Sequence, residues 1–108
     1  MKNDLLYIEH ILTSINKIEQ YTHSGKHAYM NSSIIQDAVI RNLEIIGEAT
    51  KKISSQFRQD NPQVPWKQMA GMRDVLIHDY MGVDLTIIWN IIIRELPQVE
   101  KTLNQIIR

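Results

Sequence analysis

Isoleucine and leucine return at intervals of three and four through most of this chain. That spacing admits little except helices packed on helices. From about Asp4 to His23 the residues Leu5, Ile8, Ile11, Leu12, Ile15 and Ile18 form one stripe, flanked by Lys2, Glu9, Lys17 and Glu19. Asn3 or Asp4 suits its N-cap. The helix fades into the turn-prone Thr22-His23-Ser24-Gly25. A second stripe opens at Asn31-Ser32-Ser33 and continues through Ile35, Ala38, Val39, Ile46, Ala49, Ile53 and Phe57. Ser33 and Gln36 fit a capping box at its start. Asp60-Asn61-Pro62 breaks this helix, so Arg58 to Pro65 is predicted to be loop. Pro65-Trp66-Lys67-Gln68-Met69 reads as one short turn with proline at its first position. Trp66 reads as a packing anchor rather than a base-stacking platform, because no basic residues interleave with aromatics around it.

A third helix is predicted from about Met69 to Asp79 or Tyr80, with Gly82 as the left-handed residue that follows. Asp84 then caps a fourth helix. Its Leu85, Ile87, Ile88, Trp89, Ile91, Ile92, Ile93 and Leu96 cover nearly every side. No turn signal interrupts that run, which argues helix over strand. A helix so apolar is either central in the core or shared with a second subunit. Pro97 kinks or restarts it, and Val99, Leu103, Ile106 and Ile107 carry the stripe onward. The predicted fold is all-α: an antiparallel helical bundle of four to five helices, forming one domain over residues 1–108. The apolar supply exceeds what a lone chain of 108 residues buries, which predicts a homodimer.

Charge narrows the options less. Lys+Arg and Asp+Glu stand at 12 each, so any nucleic-acid contact would need a local patch or a groove built by association. The absence of cysteine excludes a disulfide scaffold and thiolate metal sites. Asp4, Glu9 and His10 interrupt any signal-peptide core, and Leu85 to Ile93 is too short to span a bilayer. A soluble cytoplasmic protein is the expectation. His23 and His27 have the spacing of a helical metal pair, but Gly25 lies between them and no third ligand is near. They read as solvated loop histidines, and no metal or cofactor is expected. Gly47, inside the second helix, costs about 1 kcal/mol relative to alanine and usually marks close approach of another helix. Arg41, Glu44 and Glu48 read as helix-surface ion pairs unless Arg41 faces the third helix.

Chemistry concentrates in Met72-Arg73-Asp74-Val75-Leu76-Ile77-His78-Asp79-Tyr80, between Gly71 and Gly82. On a regular helix Arg73 and Tyr80 fall within about 20° of each other, and Asp74 and His78 within about 40°. Arg73 and His78 are about 140° apart, so one helix does not aim both at a point unless its last turn is irregular or the long arginine reaches around. A two-fold dimer with this helix at its seam is another solution. RNA is cleaved when its 2′-OH attacks the adjacent phosphate. That reaction needs a proton acceptor, a proton donor for the leaving 5′-oxygen, and positive charge for the phosphorane oxygens. Histidine transfers protons near neutrality, and arginine grips phosphate oxygens with a planar fork. Asp74 can orient either group, and Tyr80 can bond a phosphate or the histidine. On spacing alone, a structural arginine and a helix-end histidine beside the C-terminal dipole remain the simpler reading.

Arg73-Asp74-Val75-Leu76-Ile77-His78-Asp79-Tyr80 resembles the Arg-x4-His-x-Tyr motif of HEPN-domain proteins, specifically the HepT-like toxin family. Arg41-Asn42-Leu43-Glu44-Ile45-Ile46-Gly47-Glu48-Ala49 is similar to that family's helix-two signature, and Pro65 to Met72 resembles the lead-in to its motif helix. The resemblance runs in order along nearly the whole chain. It implies a HEPN bundle that dimerises with its motif helices at a shared cleft. It also implies a metal-independent endoribonuclease with Arg73 and His78 catalytic and Asp74 and Tyr80 supporting. Such a protein is the toxin of a toxin–antitoxin pair whose antitoxin is a minimal nucleotidyltransferase of the MNT type. That partner can transfer AMP to the motif tyrosine, here Tyr80. The competing expectation is a non-catalytic helical partner that presents nucleotide or RNA to such a nucleotidyltransferase, which the neutral net charge favours.

Overall fold

The computed structural model describes residues 2–78 and 84–107, with side chains described for 3–72 and 84–107. Every regular element among them is helical. α1 (Lys2–Tyr21) buries Ile8, Ile11, Ile15 and Ile18 completely. Each such side chain contributes about 1.5–3 kcal/mol. The helix starts ahead of Asp4, so Asp4 is not its cap. The Asp4 carboxylate instead accepts from the Ser54 backbone N–H at 2.7 Å and from Ser54 Oγ at 2.8 Å. That contact joins the start of α1 to the end of the helix beside it and makes the pair antiparallel.

Gly25, at φ 99°, turns the chain into a short helix, α2 (Lys26–Met30), in a stretch with no sequence signal for one. His23 lies in the turn before it and His27 on it, both exposed. α3 (Ser33–Lys52) is capped by Ser32, whose Oγ accepts from Ile35 N–H at 3.2 Å. The expected Ser33–Gln36 box does not form. The Gln36 amide donates instead to the carbonyls of Tyr29 and Met30, tying α2 to α3.

The second helix was expected to continue to Phe57 but ends at Lys52. Ile53 is extended (φ −73°, ψ 136°), and Ser54 caps a separate helix, α4 (Ser55–Asp60), accepting from Phe57 N–H. Asp4 engages the Ser54 N–H, and Arg58 donates twice to the Ile53 carbonyl. The break is therefore satisfied by groups that helical periodicity does not report. Part of the predicted loop after Arg58 is accordingly helix, and the loop proper is residues 61–65.

The expected turn at Pro65 and the third helix are one element, α5 (Trp66–His78). The Pro65 carbonyl accepts from Met69 N–H and opens it. Trp66 anchors it, as predicted: the indole is buried, donates to the Asn61 carbonyl at 2.9 Å and meets Phe57 edge-on. After the α5–α6 connection, Asp84 Oδ1 accepts from Thr86 and Ile87 N–H and caps α6 (Leu85–Asn90). A π-helical turn, Ile91–Glu95, leads without a break into α7 (Leu96–Ile106). Pro97 has no N–H, and its ring crowds the carbonyl four residues back. The wider π turn accommodates both effects, so the helix is re-registered rather than stopped.

α3 lies at the centre, with α1 and α5 packed along it and α7 against α1. The molecule measures 41 × 28 × 19 Å, about two helices thick in its shortest direction. The fourth helix is not buried all round. Ile88, Trp89, Ile92 and Leu96 enter the core, while Ile87 and Ile93 stand 59% and 48% exposed. None of the described helices is long and apolar enough to cross a membrane.

Candidate functional site

α5 carries the motif. Its first half is fixed by Trp66 and Met69, both buried, and by Met72, which packs against the core. The helical backbone continues through Arg73, Asp74 and His78, which occupy its final turns. Helical spacing therefore holds from Arg73 to His78, and the Cα directions of those two residues diverge by about 140°. The side chains of Arg73, Asp74 and His78 lie outside the described set, as do Tyr80 and Gly82 altogether.

α3 supplies the wall on which α5 rests. Gly47 is buried midway along it. Arg41 is 66% exposed, with Nη1 3.9 Å from Glu44 Oε2 on the same helix. That is a surface ion pair, worth a few tenths of a kcal/mol at most.

The start of α6 is held by a residue that the sequence does not single out. Tyr29 on α2 is fully buried, and its hydroxyl donates to the Leu85 carbonyl at 2.9 Å. Its ring lies 5.2 Å from that of Trp89. Burial, with a smaller effect from the Asp84 carboxylate, pushes the Tyr29 hydroxyl up to about 12, so it stays a neutral donor. With the Asp84 cap, this fixes the first turn of α6 immediately downstream of the motif. No local pattern marks Tyr29, because its partner is 56 residues away.

Among the described residues no three His, Asp or Glu side chains gather as a metal site. An open depression of about 500 Å³, lined by residues including Pro62, Pro65, Trp66 and Lys67, lies at the start of α5. The helix rise places His78 about 18 Å from that end, so the depression is not part of the motif.

A motif helix docked on a long central helix, inside an all-α bundle, is the arrangement expected of a HEPN-like helical domain. The chain belongs to the ribonuclease HepT-like family, whose model matches residues 11–106. A protein of Caldanaerobacter subterraneus subsp. tengcongensis, named as an inferred RNase, is 41% identical over all of this chain and 97% of its own length. A protein of Thermococcus cleftensis named as a probable ribonuclease HepT is 41% identical over 87% of this chain and 86% of that one. A Methanocaldococcus jannaschii protein named as a gamma-glutamylcyclotransferase and inferred RNase is 42% identical over 98% of this chain, which spans 49% of that relative's length. No solved structure matches the chain at a significant level.

Proposed function

We propose that this protein is a metal-independent endoribonuclease and the toxin of a HEPN/MNT toxin–antitoxin pair. Family membership across residues 11–106, with Arg73 and His78 on the last turns of α5, is the observation that carries this reading. Two copies place their motif helices along one cleft, which answers the 140° divergence of the two residues on a single helix. In that cleft an unprotonated His78 takes the proton from the ribose 2′-OH as its oxygen attacks phosphorus. The bond from phosphorus to the 5′-oxygen breaks, and a protonated His78 from the second copy delivers a proton to the leaving oxygen. Arg73 neutralises the phosphorane oxygens, and Asp74 orients the arginine or the histidine. Tyr80, the motif tyrosine, is the AMP acceptor for the nucleotidyltransferase partner.

The test is purified protein on end-labelled RNA, with and without EDTA. Cleavage to 2′,3′-cyclic phosphate and 5′-hydroxyl ends, unaffected by EDTA, is expected. His78→Ala should lose about 10²–10⁴-fold in rate through proton transfer, and Arg73→Ala a comparable factor through lost charge stabilisation. Full cleavage by a folded His78→Ala protein would sink the assignment. An inert wild type that still binds a nucleotidyltransferase would favour the non-catalytic partner.

A further inference from the structure

We infer, building on the ribonuclease reading, that the exposed seam between α1 and α3 is a second contact surface for single-stranded RNA. It is formed by α1 and α3 alone, with no residue of the motif helix in it. The bond from Asp4 to Ser54 makes the two helices antiparallel, so the first turns of α1 lie beside the last turns of α3. There Lys52 Nζ stands 5.8 Å from the centre of the Tyr7 ring, and the His10 ring meets Tyr7 edge-on at 6.0 Å. Tyr7 is half-buried at the seam, while His10 and Lys52 are exposed. Helical spacing extends both sides of this contact. On α1, His10, Lys17 and Tyr21 fall within about 40° of one another, and on α3 Arg41 and Lys52 fall within about 20°. Lys17 and Tyr21 are exposed, and the Arg41 side chain is 66% exposed. From Tyr7 to Tyr21 the face runs about 21 Å.

The chemistry of this face suits a single strand. Among the described residues no carboxylate pairs with Lys17 or Lys52. Arg41 meets Glu44 through one contact at 3.9 Å, which leaves most of its guanidinium open. Glu48, one turn before Lys52, is the acid on the same stripe of α3. Three cations against Glu48 and, at the edge, Glu44 leave the face positive in a chain whose formal charges cancel. Neutralising phosphates at such a face releases their counterions and drives binding. The tyrosine and histidine rings among the cations supply surfaces on which unstacked bases lie, whatever their sequence. A duplex keeps its base faces inside the stack, so these rings serve a single strand. Sites of this kind hold as few as about 4 nucleotides, which a face of this length accommodates. RNA held here stays at high effective concentration beside the motif of the same molecule.

The experiment measures binding of a fluorescein-labelled 2′-O-methyl oligoribonucleotide by anisotropy across a salt series. This probe lacks the attacking hydroxyl and stays intact. Wild type is compared with the triple variant Lys17→Ala, Arg41→Ala, Lys52→Ala and with Tyr21→Ala, all checked for folding by circular dichroism. Each cation lost should flatten the plot of log K against log salt by about 0.7, so the triple variant should lose about 2 in slope. Its affinity at low salt should fall about tenfold or more. Tyr21→Ala should bind about fivefold or more weakly with the slope kept, because stacking releases no counterions. Unchanged slope and affinity in the triple variant would overturn the inference, as would a wild type that binds no oligonucleotide. Full affinity in Tyr21→Ala would overturn the assignment to single strands. Loss of binding to a nucleotidyltransferase with oligonucleotide binding intact would also overturn it and mark the face as a protein surface. A wild type that binds the oligonucleotide through this face yet cleaves no RNA would refute the ribonuclease reading and leave the surface standing.

Discussion

Replacing Asp4 by alanine tests the contact that shapes the central helix. Asp4 is 3% exposed, and its two oxygens accept from Ser54 N–H and Oγ at 2.7 and 2.8 Å. Hydrogen bonds to a charged group contribute about 1.5–3 kcal/mol each. Removing the carboxylate also relieves its own desolvation, so the lower end of that range applies to both bonds, giving a loss of about 3 kcal/mol. For a domain near 100 residues, each kcal/mol lowers Tm by about 4–8 °C, so a drop on the order of 12–24 °C is expected. Asp4→Asn keeps one neutral acceptor and should fall roughly midway. Thermal and urea denaturation followed by circular dichroism at pH 7 measure both variants. An Asp4→Ala protein within about 0.5 kcal/mol of wild type would show that Asp4 does not hold the α3–α4 break. Because the Asp4 carboxylate bonds to Ser54, ahead of α4, cleavage per folded molecule should be unchanged well below the new Tm.

Sedimentation equilibrium at micromolar concentration should show a species near twice 12.6 kDa; a clean monomer would remove the shared-cleft argument. Tyr80→Phe should retain much of its cleavage activity yet gain no AMP by intact mass after incubation with a cognate nucleotidyltransferase and ATP. Equal modification of wild type and variant would place the acceptor elsewhere. Burial, then a hydrogen bond with Glu19 and the charge of that neighbour, hold the Glu100 carboxyl above its ordinary value of 4.5. The folded state thus binds the Glu100 proton more tightly than the unfolded chain. The stability this adds is full below the ordinary value and is lost as pH rises through the folded one. Glu100→Gln should therefore raise Tm at pH 7, with the gain shrinking as pH falls toward 4, and a gain that is constant with pH would contradict the pairing.

What the sequence determined by itself is the helical character of the chain and the position of its motif. Ile8, Ile11, Ile15 and Ile18 announce the buried face of α1 because a helix samples its surroundings every three to four residues. Asp84 announces the start of α6 because a cap is a bond between near neighbours. Trp66 was legible as an anchor, and Arg73, Asp74, His78 and Tyr80 were legible as a motif because they are close in sequence. Other features came only from tertiary structure. Ser32 rather than Ser33 caps α3 because Gln36 turns to the carbonyls of α2. The helix breaks at Ile53 because a carboxylate 50 residues earlier binds Ser54. The first turn of α6 is fixed by a tyrosine 56 residues away. Periodicity and capping rules describe what a segment does within its own turns. Where two segments meet, the choice between equivalent local bonds falls to whichever distant group arrives with the better partner.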